Sequence, residues 1–177
     1  MSHLSRVYSL SRNRQTVRRF ADRPVPQELL DRIVDCGRYA VSAGEDQPWR
    51  FVIVRDRLLR HRMAEVAFNS TLVKTAPIVV AGCARVHSRI SGHGKAAWPL
   101  DLAAAGQAMS LCAADLGLQS AWITGFREPD LRALLSIPAD VPVAILVAIG
   151  YPDGYDPLPA RRPLDEVLSW DRWGGGS

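Results

Sequence analysis

Hydrophobic and polar positions along the chain follow two periods. After Pro26, Leu29, Leu30, Ile33, Val34, Gly37 and Tyr39 recur at helical spacing, with Glu28 and Asp31 in the first turns, which predicts a helix. Residues 49–55 predict a strand, 57–68 a helix and 77–83 a second, fully apolar strand, while 3–12 fit a short helix. Residues 100–116 are alanine-rich and apolar almost all round, which predicts a buried central helix ended by Gly117 as a C-terminal cap. A third strand is expected at 119–123, a short helix at 128–135 and a fourth strand at 141–150. The polar, glycine-bearing stretch 85–97 reads as a mobile connection and a candidate lid. The segment beyond residue 150 carries Pro152, Pro157, Pro159 and Pro163, has no core of its own, and needs a surface to lie on. Together these elements predict an α+β fold, helices packed on a small sheet.

Size and composition narrow the function. At 177 residues with 47% hydrophobic content the chain suits one domain, expected over 1–173, with a flexible 174–177 end. Its longest apolar run, 78–84, is far too short to cross a membrane, and the polar N-terminus lacks a signal-peptide core. The expectation is a cytoplasmic protein. Cys36, Cys83 and Cys112 stand far apart in apolar stretches, which predicts buried thiols and neither a disulfide framework nor a CxxC pair. No Cys/His spacing suits a metal. No GxGxxG follows a strand, so a separate nicotinamide domain is not expected.

Charge is uneven. Residues 1–62 hold thirteen arginines against seven carboxylates, a bias toward an anionic partner such as a phosphate ester, a nucleic acid or only solvent. Aromatic residues are not interleaved with the arginines as in nucleic-acid modules, so no nucleic-acid partner is expected.

Four short segments carry candidate chemistry. Arg14-Gln15-Thr16-Val17-Arg18 combines guanidinium forks with a hydroxyl, a set that suits a phosphate. In Ser42-Ala43-Gly44-Glu45-Asp46-Gln47-Pro48-Trp49, small residues let backbone approach a flat ligand. Thr124-Gly125, at a strand end, offers backbone N–H groups, and Arg161-Arg162-Pro163-Leu164 adds basic groups near the C-terminus.

Their order and separation, from about residue 14 to 170, resemble the nitroreductase family. That family's Arg-Arg-Ser-x-Arg opening is similar to Arg14–Arg18, and its Ala-Pro-Ser-x-x-Asn-x-Gln-Pro-Trp to Ala40–Trp49. Ala76-Pro77, Gly117-Leu118, Gly150-Tyr151-Pro152 and Arg161-x-Pro163-Leu164 continue the series. The resemblance implies an α+β sandwich with a mixed or antiparallel sheet of four to five strands, in an intertwined homodimer that exchanges C-terminal tails. It implies FMN at the subunit interface, with NADPH or NADH as electron donor. By the same resemblance Arg14, Thr16 and Arg161 hold the FMN phosphate, and Gln15 and Arg18 lie toward the ribityl chain and pyrimidine. Val41, Ser42, Ala43 and Glu45 come from the other subunit, Thr124 and Gly125 face the flavin N5 edge, and Asn69 is a further contact. The implied activity is reduction of small planar acceptors, with no catalytic side chain because the flavin carries the chemistry. A flavin-fragmenting, benzimidazole-forming enzyme and a flavin-binding protein without turnover are the alternatives. Three positions depart from the pattern: Glu45 stands for asparagine, Gln15 for arginine and Val41 for proline.

Overall fold

The computed structural model describes residues 5–14, 17–68, 70–85, 96–154, 157–158 and 160–175. Within them the order is α1 (Arg6–Asn13), α2 (Gln27–Arg38), β1 (Trp49–Val54), α3 (Arg57–Val66), α4 (Thr71–Thr75) and β2 (Ile78–Ala84). Then come α5 (Trp98–Asp115), β3 (Gln119–Ile123), α6 (Glu128–Leu135), β4 (Val143–Gly150) and α7 (Leu164–Val167). The expected α+β class holds, and the sheet described has four strands, all antiparallel, in the order β1-β2-β4-β3.

The ends of these elements follow from local chemistry. Asp56 accepts the Leu59 N–H at 2.7 Å and starts α3, which stops at Val66 because Phe68 turns to φ 52°. Gly117, at φ 77°, takes the left-handed position after α5. There the Leu118 N–H reaches the Ala113 carbonyl at 2.8 Å and the Gly117 N–H the Ala114 carbonyl at 3.2 Å, the double bond pattern of a Schellman cap. Helix α4 was not legible as a helix, since five residues are too few to show a period. Strand β4 begins at Val143 because Pro142 has no N–H to give the ladder; its carbonyl instead accepts Ala84 N–H at 3.0 Å.

Both faces of the sheet are covered, which is why β2 and β4 are apolar without alternation. On one face Ile78, Val80, Val147 and Ile149 pack with Ile33 of α2 and Met109 of α5. On the other, Val79, Ala81, Leu146 and Ala148 pack with Met63 of α3, Val73 of α4 and Leu131 of α6.

Two expectations are corrected. Helix α5 is not buried all round within one chain: buried pairs such as Asp101-Leu102 and Ala105-Gly106 alternate with half-buried Ala103-Ala104 and Gln107-Ala108, and Leu100 is 69% exposed. Nor are all three thiols buried and apart. Cys83 is buried, but Cys36 and Cys112 are half-buried on the packed helices α2 and α5. The Cys112 Sγ lies 3.7 Å from the Arg32 carbonyl, one turn before Cys36. Burial and hydrogen bonding to Cys36 push the Cys112 thiol up to about 12.

Candidate functional site

The antiparallel register gives the sheet two ends. At one, Trp49 opens β1 opposite Ala84, while Ile123 closes β3 opposite Leu146. At the other, Val54 closes β1, and Ile78 and Gln119 lie near Ile149 and Gly150.

The segment before β1 is strained and clamped. Gly44, Glu45 and Gln47 have φ of 57°, 56° and 46°, a left-handed run that costs a non-glycine residue about 1–3 kcal/mol. Two hydrogen bonds hold it: Ala43 N–H donates to Asp101 Oδ1 at 2.9 Å, and Gln47 N–H to Ser42 Oγ at 3.0 Å. Asp101 is buried in the first turn of α5, where the helix dipole favours its negative charge. Val41, Ala43 and Glu45 are exposed and Ser42 is half-buried, while the N–H groups of residues 43, 45, 46 and 47 are all bonded within the chain. Trp49 anchors the loop's end, buried with Ala84, Leu102 and Ala105.

Thr124 and Gly125 lie exposed just beyond β3, and neither N–H donates to another described residue. Arg127 N–H ties this turn to the Val66 carbonyl at 3.0 Å. A Cβ placed on Gly125 would meet only the Phe68 ring, at ordinary contact distances of 3.6 and 3.7 Å. The fold therefore tolerates alanine there. A demand for glycine would come from a ligand approaching the backbone. Phe68 itself is 64% exposed at φ 52°, an aromatic ring held in a strained position over the turn. Sequence reading missed Phe68 and Asp101. Phe68 has no local signal, and Asp101 has only that of an ordinary first-turn carboxylate.

Arg14 follows α1, half-buried, and its Nε is buried without a hydrogen-bond partner among the described residues. A buried guanidinium N–H lacking an acceptor is what an anion such as a phosphate would satisfy. Beyond it Val17 and Phe20 are buried, and Phe20 bridges Pro152, with Ala21 N–H on the Tyr151 carbonyl at 2.9 Å and Asp153 N–H on the Arg19 carbonyl at 3.1 Å. The first basic segment and the chain after β4 are thus brought together. Arg18 is exposed on this stretch. Arg161 is exposed in the tail. Gln15, Thr16, Asn69 and residues 86–95 of the candidate lid lie outside the described residues. No cluster of His, Cys, Asp or Glu among the described residues could hold a metal, and no helix there is long and apolar enough to cross a membrane.

The residues present suit an FMN-like ligand: a guanidinium Nε and two backbone donors on an exposed turn that have no acceptor among the described residues, and an exposed loop of small residues. Comparison with known proteins agrees. A Methanothermobacter thermautotrophicus protein assigned as an NADH dehydrogenase/NAD(P)H nitroreductase is 33% identical over 151 residues, covering 82% of this chain and 77% of its own. An NADH dehydrogenase of Thermus thermophilus is 30% identical over 191 residues, covering 89% and 92%. The structure of the NADPH:FMN oxidoreductase from Vibrio harveyi complexed with NAD+ superposes with a TM-score of 0.87 at 21% identity, over 95% of this chain and 78% of that one. The sequence description of the Nitroreductase family matches residues 11–98 and 68–151. That span takes in the basic segment, the strained loop, the Gly125 turn and the whole sheet, and the chain belongs to the nitroreductase family.

Proposed function

We propose that the chain is a cytoplasmic homodimer that reduces small planar acceptors (nitroaromatics, quinones and enones) with NADH or NADPH. Membership of the family makes it an FMN-dependent NAD(P)H oxidoreductase. The acceptor class, the dimer and the residue roles are the proposal.

The observation that carries it is the turn at Thr124 and Gly125, whose N–H groups have no acceptor among the described residues and lie on an exposed stretch beside the exposed Phe68 ring. Bound FMN supplies two-electron hydride chemistry there. A fixed N–H donor at the flavin N5 edge stabilises electron density that builds on that atom, with no reorganisation at the moment of transfer. Arg14, Thr16 and Arg161 hold the phosphate, and Gln15 and Arg18 line the ribityl chain and pyrimidine. Val41, Ser42, Ala43 and Glu45 come from the second copy, and Asn69 is a further contact. With FMN bound, nicotinamide and acceptor would use the cofactor in turn, and no acidic or basic side chain of this chain would be required for hydride transfer.

Two apolar surfaces support the dimer. The outward side of α5 shows Leu100 with half-buried alanines, and the tail exposes Leu164, Val167, Leu168, Trp170 and Trp173. Exposed apolar area of this extent belongs at an interface. Titration of the purified protein with FMN should quench flavin fluorescence, and the loaded protein should oxidise NADH or NADPH with a quinone acceptor. A folded protein that ignores FMN overturns the reading. A sedimenting monomer overturns the dimer.

A further inference from the structure

Away from the Gly125 turn, at the opposite end of the sheet, three basic side chains converge on one cavity. It has a volume of about 280 Å³ and is lined by Phe20, Asp22, Arg57, Arg60, His61, Lys74 and Thr75. Its position follows from the register. Arg57 opens α3 just after Val54, Lys74 and Thr75 close α4 just before Ile78, and Asp22 follows the Phe20–Pro152 bridge beyond Gly150. The loop at 42–47 and the turn at 124–125 both belong to the other end.

Arg60 is the central group. Only 9% of it is exposed, and its Nη1 donates to the carbonyls of Lys74, at 3.1 Å, and Ala76, which clamps one side of the guanidinium to the end of α4. The other edge, Nε and Nη2, is the pair that forks around an oxyanion, and its Nε is buried without an acceptor. Among the described residues no carboxylate pairs with Arg57, Arg60 or Lys74. Asp56, the nearest acid in sequence, is committed to the Leu59 N–H. Burial first, and then the neighbouring Arg57, push the Arg60 guanidinium below the ordinary arginine value, while Asp56 and Asp22 pull the other way. Three cations against Asp22, in the lining, and Asp56, beside Arg57, leave about one positive charge at the cavity, with His61 adding a ring N–H. Thr75 takes no direct part as a donor, because its hydroxyl donates to the Thr71 carbonyl at 2.8 Å.

We propose that this cavity binds a phosphate group, carried as the free dianion or on a small polar monoester. A phosphate, with a charge of about −1.5 to −2 at neutral pH and three acceptor oxygens, engages all three cations, whereas a carboxylate offers only two oxygens. The volume exceeds the ~30 Å³ share of one water several-fold, which accommodates a phosphate with a few waters or a short carbon skeleton. Phe20 forms an apolar part of the wall, and the remaining lining is polar. The lining shares no residue with those assigned to FMN, so binding is expected in both flavin states.

The test is calorimetric titration with inorganic phosphate and with glycerol 3-phosphate, at ionic strength held constant with chloride, with and without saturating FMN. Saturable binding of one equivalent is expected in both flavin states. The tighter of the two probes tells a free ion from a monoester. Arg57→Gln and Lys74→Gln remove exposed groups that tie no backbone, and each should weaken phosphate at least about tenfold, the loss of one charged hydrogen bond. Flavin affinity should not change in either variant. Arg60→Gln is informative only if its melting profile stays cooperative, since Arg60 also secures α4. The inference is overturned if FMN competes with phosphate, if chloride alone reproduces the heat, or if both exposed variants bind phosphate as the parent does.

Discussion

Asp101→Ala removes the carboxylate that holds the strained loop before β1. In the folded chain that carboxylate accepts the Ala43 N–H at 2.9 Å from a buried position at the start of α5. A hydrogen bond to a charged group contributes about 1.5–3 kcal/mol, and the exposed Ala43 N–H can turn to water, so the loss is about 2 kcal/mol. Opposing it is the strain at Glu45 and Gln47, about 1 kcal/mol each at the low end. Without the clamp the loop's observed shape lies about 2 kcal/mol above relaxed alternatives and is populated about one part in thirty. FMN affinity, which depends on that fraction, should fall about thirtyfold. Asp101→Asn keeps an acceptor oxygen and should stay within about threefold of the parent. Flavin fluorescence titration reads the affinity, and a melting curve confirms that α5 is intact. An Asp101→Ala protein that melts cooperatively and binds FMN within about twofold of the parent would refute the clamp.

Glu45→Asn places a residue that tolerates left-handed backbone at φ 56°, and should raise FMN affinity by about threefold in the same titration; weaker binding would sink the strain argument. Ser136, at φ 54° after α6, occupies a similar backbone position, and Ser136→Gly should raise unfolding stability in urea by about 1 kcal/mol. Burial pushes the Cys83 thiol up to about 11, with Glu128 adding to the shift. The unfolded chain releases this proton near the ordinary value of about 8.5 while the folded chain keeps it, so this contribution is intact at lower pH and is lost as pH climbs to about 11. The loss is about 1.4 kcal/mol per pH unit, or about 3 kcal/mol in all, and Cys83→Ala should flatten that part of the stability curve; parallel curves would count against it.

Strong periodicity made most of the fold legible. The apolar runs in β2 and β4, the helix after Pro26 and the glycine that ends α5 each reflect a local rule that packing did not override. Short or contextual features were hidden. Helix α4 is a single turn after a Ser70 cap, and the closeness of Cys36 to Cys112 depends on how two helices cross. The candidate site was legible as motifs, because arginine, glycine and a small-residue loop carry their chemistry locally. Asp101 and Phe68 were not, since each matters only through a neighbour far away in sequence, at Ala43 and Gly125.

The bridge between Phe20 and Pro152 joins positions near the two ends of the chain. Contacts of such long sequence separation close the largest loop and carry the highest entropic cost before any reward arrives. The four-strand sheet can assemble from shorter loops, while the segment bearing Arg14 is fixed only when the residues after β4 have emerged and docked. A released chain cut short of residue 152 would therefore be able to pair its four strands while the Arg14 segment stays undocked, and docking of that segment would be the last event of folding.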